Sequence, residues 1–215
     1  MGYHMAVETS FLSHKSLNQM MHVYRAQWMD RLLWRDVRII DTQITAGLQN
    51  GTSFFASTSL FAIGGSLTLL RITDDAMTLF SNLPFGLTMT RTMWEIKVSG
   101  LALIFVYAFF KFAWSYRLFN YAAILLGAAP AADRGSPLDR SQHAEALTAV
   151  ITDAGREFNR GQRAFFFALA YVGWFVSPIV LILTTVAALA AMLHRQFRSA
   201  SHHAVKQLVE SEKAE

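Results

Sequence analysis

The sequence predicts an all-α integral membrane protein built as a bundle of transmembrane helices. Of its 215 residues, 53% are apolar, and only 16% are charged, against roughly 25% in an ordinary soluble domain. Residues 42–70 and 164–193 carry no charge, and 99–132 contains only two, Lys111 and Arg117. Each run exceeds the about 20 residues that a helix needs to cross a bilayer. We expect three spans in a single membrane domain, 1–215.

The composition also narrows the classes of partner. The chain has no cysteine, which excludes disulfides and thiol catalysis. A net charge of +4 and a pI near 9.6 would suit a nucleic-acid-binding protein. The basic residues, however, stand beside the apolar runs, which favours contact with the lipid bilayer and its headgroups. We expect no nucleic-acid partner.

The first predicted element is a basic amphipathic segment over 16–45. Its apolar residues recur every three or four positions, which is typical of a helix. Trp28 and Trp34 fit the aromatic belt of a membrane interface, so we expect this segment to lie at the membrane surface. The alternative is a solvated helix that packs on a neighbouring subunit. Three arginines of this segment are candidate headgroup contacts: Arg31, Arg35 and Arg38.

The first span is predicted over 50–70 and is rich in glycine, serine, threonine and alanine. Small residues let helices approach closely in lipid. We therefore expect this span to pack inside a bundle through Gly47, Gly51, Gly64 and Gly65, with pore lining as the rarer alternative.

The second span is predicted over 98–129. A continuous helix of that length measures about 48 Å, more than the roughly 30 Å of the hydrocarbon core. Either its last turns lie in the interface, or the helix breaks near Ser115.

The remaining elements follow from charge and proline. A soluble loop is predicted over 131–162, with a short helix at 144–158. The third span is predicted over 164–193, kinked at Pro178. A hairpin of two half-spans is the weaker alternative, because each half would be too short to cross. The tail, 194–215, is polar and is expected to fray.

Basic residues beside the spans bear on orientation. Those of the N-terminal segment and the 131–162 loop outnumber those on the other side, which favours the cytoplasm for the former. Arg195 and Arg198, close to the last span, argue against this orientation. Arg160 and Arg163 precede the third span and are further candidates for binding anionic headgroups.

Polar residues within or near the spans form one candidate site. If the first span crosses the membrane and the second returns, Asp41 would approach Lys111 or Arg117 and pair with one of them. The alternative is that both cations extend to the headgroups. The full candidate cluster is Asp41, Gln43, Asn50, Lys111, Arg117 and Asn120.

Catalytic signatures are missing from the sequence. It contains no HExxH, GxSxG, Walker A or GxGxxG pattern, and its seven histidines lack metal-ligand spacing. We expect no catalytic residues, no metal, no cofactor and no enzymatic activity.

Four stretches resemble one family of bacterial membrane proteins, catalogued as domain of unknown function 599. They are RDVRIIDTQITAGLQNGTSFFASTSLFAIGG, WEIK, YAFFKFAWSYRLFNYAAILLGAAP and FNRGQRAFFFALA. The resemblance implies a multi-pass protein of the bacterial inner membrane, and it implies no particular activity. Members begin with a further helix ending in Gly-Tyr, whereas Gly2 and Tyr3 here follow Met1 directly. We therefore expect a fourth, N-terminal span to be missing.

Two functional hypotheses follow. The first is a non-enzymatic membrane component that self-associates or joins a larger complex. The second is a transporter or channel for a small solute or ion, built around Asp41, Lys111 and Arg117. A membrane-embedded enzyme has little support, because no convergent set of His, Asp and Glu is apparent.

Overall fold

A computed structural model describes residues 16–81, 89–130 and 136–212, and these residues are helical, without a strand. Three stretches are long and apolar enough to cross a membrane, namely Ile39–Arg71, Arg91–Gly127 and Pro178–Ser211. The predicted all-α, membrane-spanning fold is therefore confirmed. The helices in chain order are α1 (Leu17–Leu33), α2 (Ile39–Arg71), α3 (Thr73–Ser81), α4 (Arg91–Gly127), α5 (Pro137–Val176), α6 (Pro178–Phe197) and α7 (Ala200–Glu212).

Helix α4 forms the centre of the bundle, with α2 and α5 packed against it. Its buried residues alternate at spacings of three and four, the pattern of helices that pack knobs into holes. Of the two alternatives for the second span, the break near Ser115 is not observed, since α4 is continuous over Arg91–Gly127. The Ser115 hydroxyl is buried and donates to the Ala154 carbonyl of α5 at 2.7 Å, so the helix continues past it. The buried seam comprises Val98, Leu101, Phe105, Ala108, Phe112, Ser115, Phe119, Ala122 and Leu126.

Helix α2 packs against α4 through small hydroxyl residues at seven-residue intervals. Thr45, Thr52, Ser59 and Ser66 are buried, and each hydroxyl donates to the carbonyl four residues earlier in α2 at 2.8 or 2.9 Å. This bond satisfies the polar group inside its own helix, so the small side chain can face α4 in lipid.

The four glycines predicted to mediate packing do not do so within the described part of this chain. A Cβ added at any of them would meet no atom within 4 Å. Within the chain, the hydroxyl residues, which lie on another face of the helix, make the contact with α4 instead. The four positions are Gly47, Gly51, Gly64 and Gly65.

Helix α5 replaces the predicted soluble loop and short helix. It is continuous over 40 residues, about 60 Å, and begins with a capping box in which Ser136 and Asp139 exchange hydrogen bonds. The hydrogen bonds from Ser136 lower the pKa of Asp139 from its ordinary value, which favours the ionised carboxylate that accepts them. Buried residues recur from Ala144 to Ala168, which explains why the helix enters the apolar region unbroken.

The predicted kink at Pro178 is also wrong, because the chain reverses there. Ser177 is extended (φ −165°, ψ 161°) and caps α6 by accepting the Val180 amide at 3.1 Å. Helix α6 then folds back along α5, and the Thr184 hydroxyl donates to the Ala170 carbonyl at 2.7 Å. A residue before proline is disfavoured in helical conformation, which places the turn at Ser177. Neither arm is too short, since α5 extends beyond the apolar region and the 20 residues of α6 measure about 30 Å.

The N-terminal segment and the tail both differ from their predicted extents. The segment 16–45 divides after Leu33, and its last part is the start of α2. Helix α1 buries Met29, Leu32 and Leu33 against the end of α4 and the start of α5. The tail does not fray beyond Phe197 but forms α7, which contacts α1.

The close approach of α4 and α5 predicts a clash at Gly161. A Cβ at this position would lie 2.6 Å from the Phe112 ring. We expect Gly161→Ala to lower the free energy of unfolding by about 1–3 kcal/mol, the usual cost of overpacking. Tryptophan fluorescence during thermal unfolding in nanodiscs measures this effect. Gly65→Ala is the matched control and should not destabilise, because its Cβ meets open space. Equal midpoints for the two variants would contradict the packing described.

Candidate functional site

Three charged side chains meet between α4 and α5. The Lys111 ammonium lies 2.7 Å from Glu157 Oε2, and the Arg160 guanidinium binds Glu157 Oε1. The Glu157 side chain is 10% exposed and that of Lys111 is 27% exposed. We call Lys111, Glu157 and Arg160 the ion triad. Its carboxylate is held by two cations, which offsets the cost of removing these charges from water.

The helix packing determines where the ion triad forms. Lys111 stands next to the seam residue Phe112, and Glu157 lies three residues after Ala154, the partner of Ser115. The Ser115–Ala154 bond therefore sets the register that brings Lys111 opposite Glu157. The Lys111 ammonium also lies 5.6 Å from the centre of the Tyr107 ring, a cation–π contact.

Asp41 belongs to a different contact. It is fully buried and accepts hydrogen bonds from Arg35 at 2.8 Å and from the Trp28 indole at 2.7 Å. The predicted pairing of Asp41 with Lys111 or Arg117 is therefore wrong. The physical reason is local, because the short turn between α1 and α2 places Trp28 and Arg35 beside the first turn of α2. That helix terminus also favours a negative charge.

The other members of the predicted polar cluster are separated as well. The Arg117 guanidinium donates to the Tyr121 hydroxyl at 2.7 Å on an exposed surface of α4. Asn120 accepts a hydrogen bond from the Gln49 amide of α2. The two remaining members, Gln43 and Asn50, are exposed on α2.

At least three of the predicted headgroup arginines contact groups of the protein. Arg38 donates to the carbonyls of Ala129 and Pro130, just beyond α4, where a cation is favoured by the helix dipole. Arg35 binds Asp41, and Arg160 belongs to the ion triad. The other two differ in setting, since Arg31 is exposed and Arg163 lines a cavity.

Lys97 is a buried cation that the sequence analysis did not identify. It is 6% exposed, and its ammonium donates to the Trp174 carbonyl at 2.7 Å. That carbonyl lies in the last turn of α5, and the residue four positions on, Pro178, has no amide hydrogen to offer it. Lys97 therefore supplies the hydrogen bond that the proline cannot, and it also lies 5.3 Å from the centre of the Trp174 ring.

Glu157 was missed because it fell within a stretch predicted to be soluble. One sequence signal could have found it: Ala154, Gly161, Ala164 and Ala168 continue one small-residue face, and Glu157 interrupts that face with a charge. A carboxylate on a packing face needs a cation from the neighbouring helix. The described residues contain no group of three or more His, Asp or Glu placed to hold a metal ion.

Comparison with known proteins places the chain in a family. The family described as "Protein of unknown function, DUF599" matches residues 1–201. The chain belongs to this family. No curated protein and no solved structure matches it. The resemblance inferred from the four sequence stretches is confirmed, and the DUF599 match covers all the helices from α1 to α6.

The ion triad predicts a specific sensitivity to charge removal in this DUF599 protein. Glu157→Gln leaves Lys111 and Arg160 without their counter-charge in a largely buried site. We expect the free energy of unfolding to fall by about 3 kcal/mol, measured by thermal unfolding in nanodiscs. Glu145→Gln, on the exposed surface of the same helix, makes the same chemical change and should have little effect. Similar losses in both variants would show that the triad is not a stabilising contact.

Proposed function

We propose that this DUF599 protein is a non-enzymatic component of the bacterial inner membrane that self-associates. The observation that carries the proposal is an open face of α2, about 130° around the helix from the hydroxyl residues that pack on α4. Its small residues, which we call the small-residue face, are exposed: Ala46, Ser53, Ser57 and Gly64.

The chemistry of this face supports contact with a second copy. Ser53 and Ser57 stand four residues apart, the spacing at which small side chains let two transmembrane helices approach closely. Helix α2 meets α4 through its other face, so close contact through the small-residue face adds to the bundle without disturbing it. Most homo-oligomers use one self-complementary patch related by a twofold axis, and a single helix face can supply such a patch.

The proposed location in the bacterial inner membrane rests on two observations. The three membrane-capable helical stretches support a multi-pass protein, and the resemblance to bacterial family members favours the inner membrane. The absence of catalytic signatures from the sequence motivates the non-enzymatic role.

Cysteine crosslinking tests the small-residue face directly. The chain has no cysteine, so a single introduced thiol reports on one position. We expect Ser57→Cys to form disulfide-linked dimers in oxidised native membranes, because two copies of the face would bring the thiols together. Dimers are counted on non-reducing gels and checked by sizing of the solubilised protein.

Ser59→Cys is a matched control for this experiment. It is the same substitution two residues away, at a buried position facing α4, and should stay monomeric. A wild-type protein that runs as a lone monomer after crosslinking in native membranes would refute self-association. Equal dimer yields at 57 and 59 would refute the assigned face.

Transport of a small solute or ion is the second candidate function, and the buried charges of the ion triad favour it. Ionisable residues inside membrane bundles often mark ion or substrate paths. If Lys111 serves such a path, Lys111→Met should abolish proton or small-ion flux in proteoliposomes, whereas Lys111→Arg should retain part of it. Unchanged flux in Lys111→Met would contradict transport through this site.

A further inference from the structure

A polar cavity lies where α1 meets α5 and the end of α6. Its volume is about 230 Å³, and its described lining includes three arginines but no carboxylate. One of the three, Arg156, is already paired with Asp153, outside the lining, at 2.8 Å. We call it the arginine cavity. The residues used in the argument are Arg25, Arg156, Asn159, Arg163 and Gln196.

Arg25 is a partly buried cation of the arginine cavity. It has space because Gly155 has no side chain; a Cβ there would lie 3.1 Å from Arg25 Nη2. Burial lowers the pKa of Arg25 from its ordinary value, but an arginine keeps its proton at any physiological pH. Among the described residues, no carboxylate pairs with it. A buried cation of this kind is stabilised by an anion.

A second cavity, of about 190 Å³, adjoins the first and shares Asn159, Arg163 and Gln196 with it. It adds a fourth arginine, Arg195, whose guanidinium lies 5.6 Å from the centre of the Phe166 ring. Its lining also includes the apolar residues Phe166 and Met192. The lining therefore changes from polar and cationic in the first cavity to mixed cationic and apolar in the second.

This gradient runs along the axis of α5 in successive turns. Arg156, Asn159, Arg163 and Phe166 are spaced by three or four residues, so they share one face of the helix. Helix α6 extends about 30 Å from its start at Pro178, one hydrocarbon thickness. Its end, with Arg195, therefore lies at the depth of lipid headgroups. Phe166 is nearly one turn closer to Pro178 than Arg163 is, and therefore lies closer to the bilayer interior.

We propose that the arginine cavity binds the phosphate of an anionic phospholipid, whose acyl chain lies over Phe166 and Met192. Guanidinium groups bind phosphate oxygens in bidentate geometry, and basic pockets between membrane helices are known sites for anionic headgroups. Arg25, which pairs with no carboxylate among the described residues, selects an anion, and the apolar residues of the adjoining cavity select a lipid over a soluble phosphate. This site is independent of the small-residue face.

Native mass spectrometry of the full chain tests the selection of lipid. The protein is released from nanodiscs that contain equal amounts of phosphatidylglycerol and phosphatidylethanolamine. We expect the wild type to retain phosphatidylglycerol preferentially. Arg25→Gln and Arg163→Gln should each retain about tenfold less phosphatidylglycerol than the wild type. Arg31→Gln removes the same charge from an exposed position of α1 and should retain the lipid. Arg195→Gln changes an exposed position on α6, so it should not disturb folding. It should nevertheless weaken lipid retention severalfold.

Two further arms identify the source of the anion and its position. Millimolar inorganic phosphate or glycerol phosphate should not displace the lipid, because neither has an acyl chain. A phosphatidylglycerol with a photoactivatable acyl chain should label peptides that contain Phe166 or Met192.

The proposal is overturned by any of four results. These are equal retention of both lipids by the wild type; loss of the lipid in Arg31→Gln as large as in Arg25→Gln; displacement by free phosphate; or labelling confined to other helices.

Discussion

The antiparallel contact between α4 and α5 is the interaction on which the rest of the structure depends. Its seam alternates large and small residues, so that Phe112 packs where Gly161 leaves room. The Ser115–Ala154 hydrogen bond sets the register. In lipid, where apolar side chains gain little from leaving the solvent, such close packing and interhelical hydrogen bonds supply the association energy. The ion triad lies in this seam and adds a charged contact that only one register satisfies.

The reversal at Ser177 follows from the same constraint on polar groups in membranes. Pro178 removes a backbone donor, and an unsatisfied carbonyl in lipid costs several kcal/mol. Lys97 of α4 provides the missing donor to the Trp174 carbonyl. The α4–α5 contact therefore satisfies the backbone at the end of α5. The reversal then brings α6 back along α5, and the arginine cavity exists only because the end of α6 returns to the level of Arg163.

The two proposals concern different surfaces of one bundle. Helix α2 uses its hydroxyl face for α4 and leaves its small-residue face open, which suits contact with a second copy. The arginine cavity lies among α1, α5 and α6, and its charge suits an anionic lipid. Neither surface requires the ion triad to act chemically, and the close pairing of Lys111 with Glu157 is consistent with a structural role.

The sequence by itself determined the membrane class, the all-α fold and the family. An uncharged run that is long enough to cross a bilayer as a helix is stable in few environments other than lipid. It also indicated that small residues of α2 would pack. Which residues pack was decided only in three dimensions, where the hydroxyl residues rather than the glycines met α4. The partners of Asp41 and Lys111 were likewise decided there. A charge in a bundle pairs with whatever the helix register brings within reach, and register depends on the packing of whole helices rather than on spacing along the chain. Pro178 illustrates the same difference between sequence and tertiary structure. A proline in the sequence predicts an interruption of the helix, but the hydrogen bond from Lys97 and the contacts of Thr184 make that interruption a chain reversal.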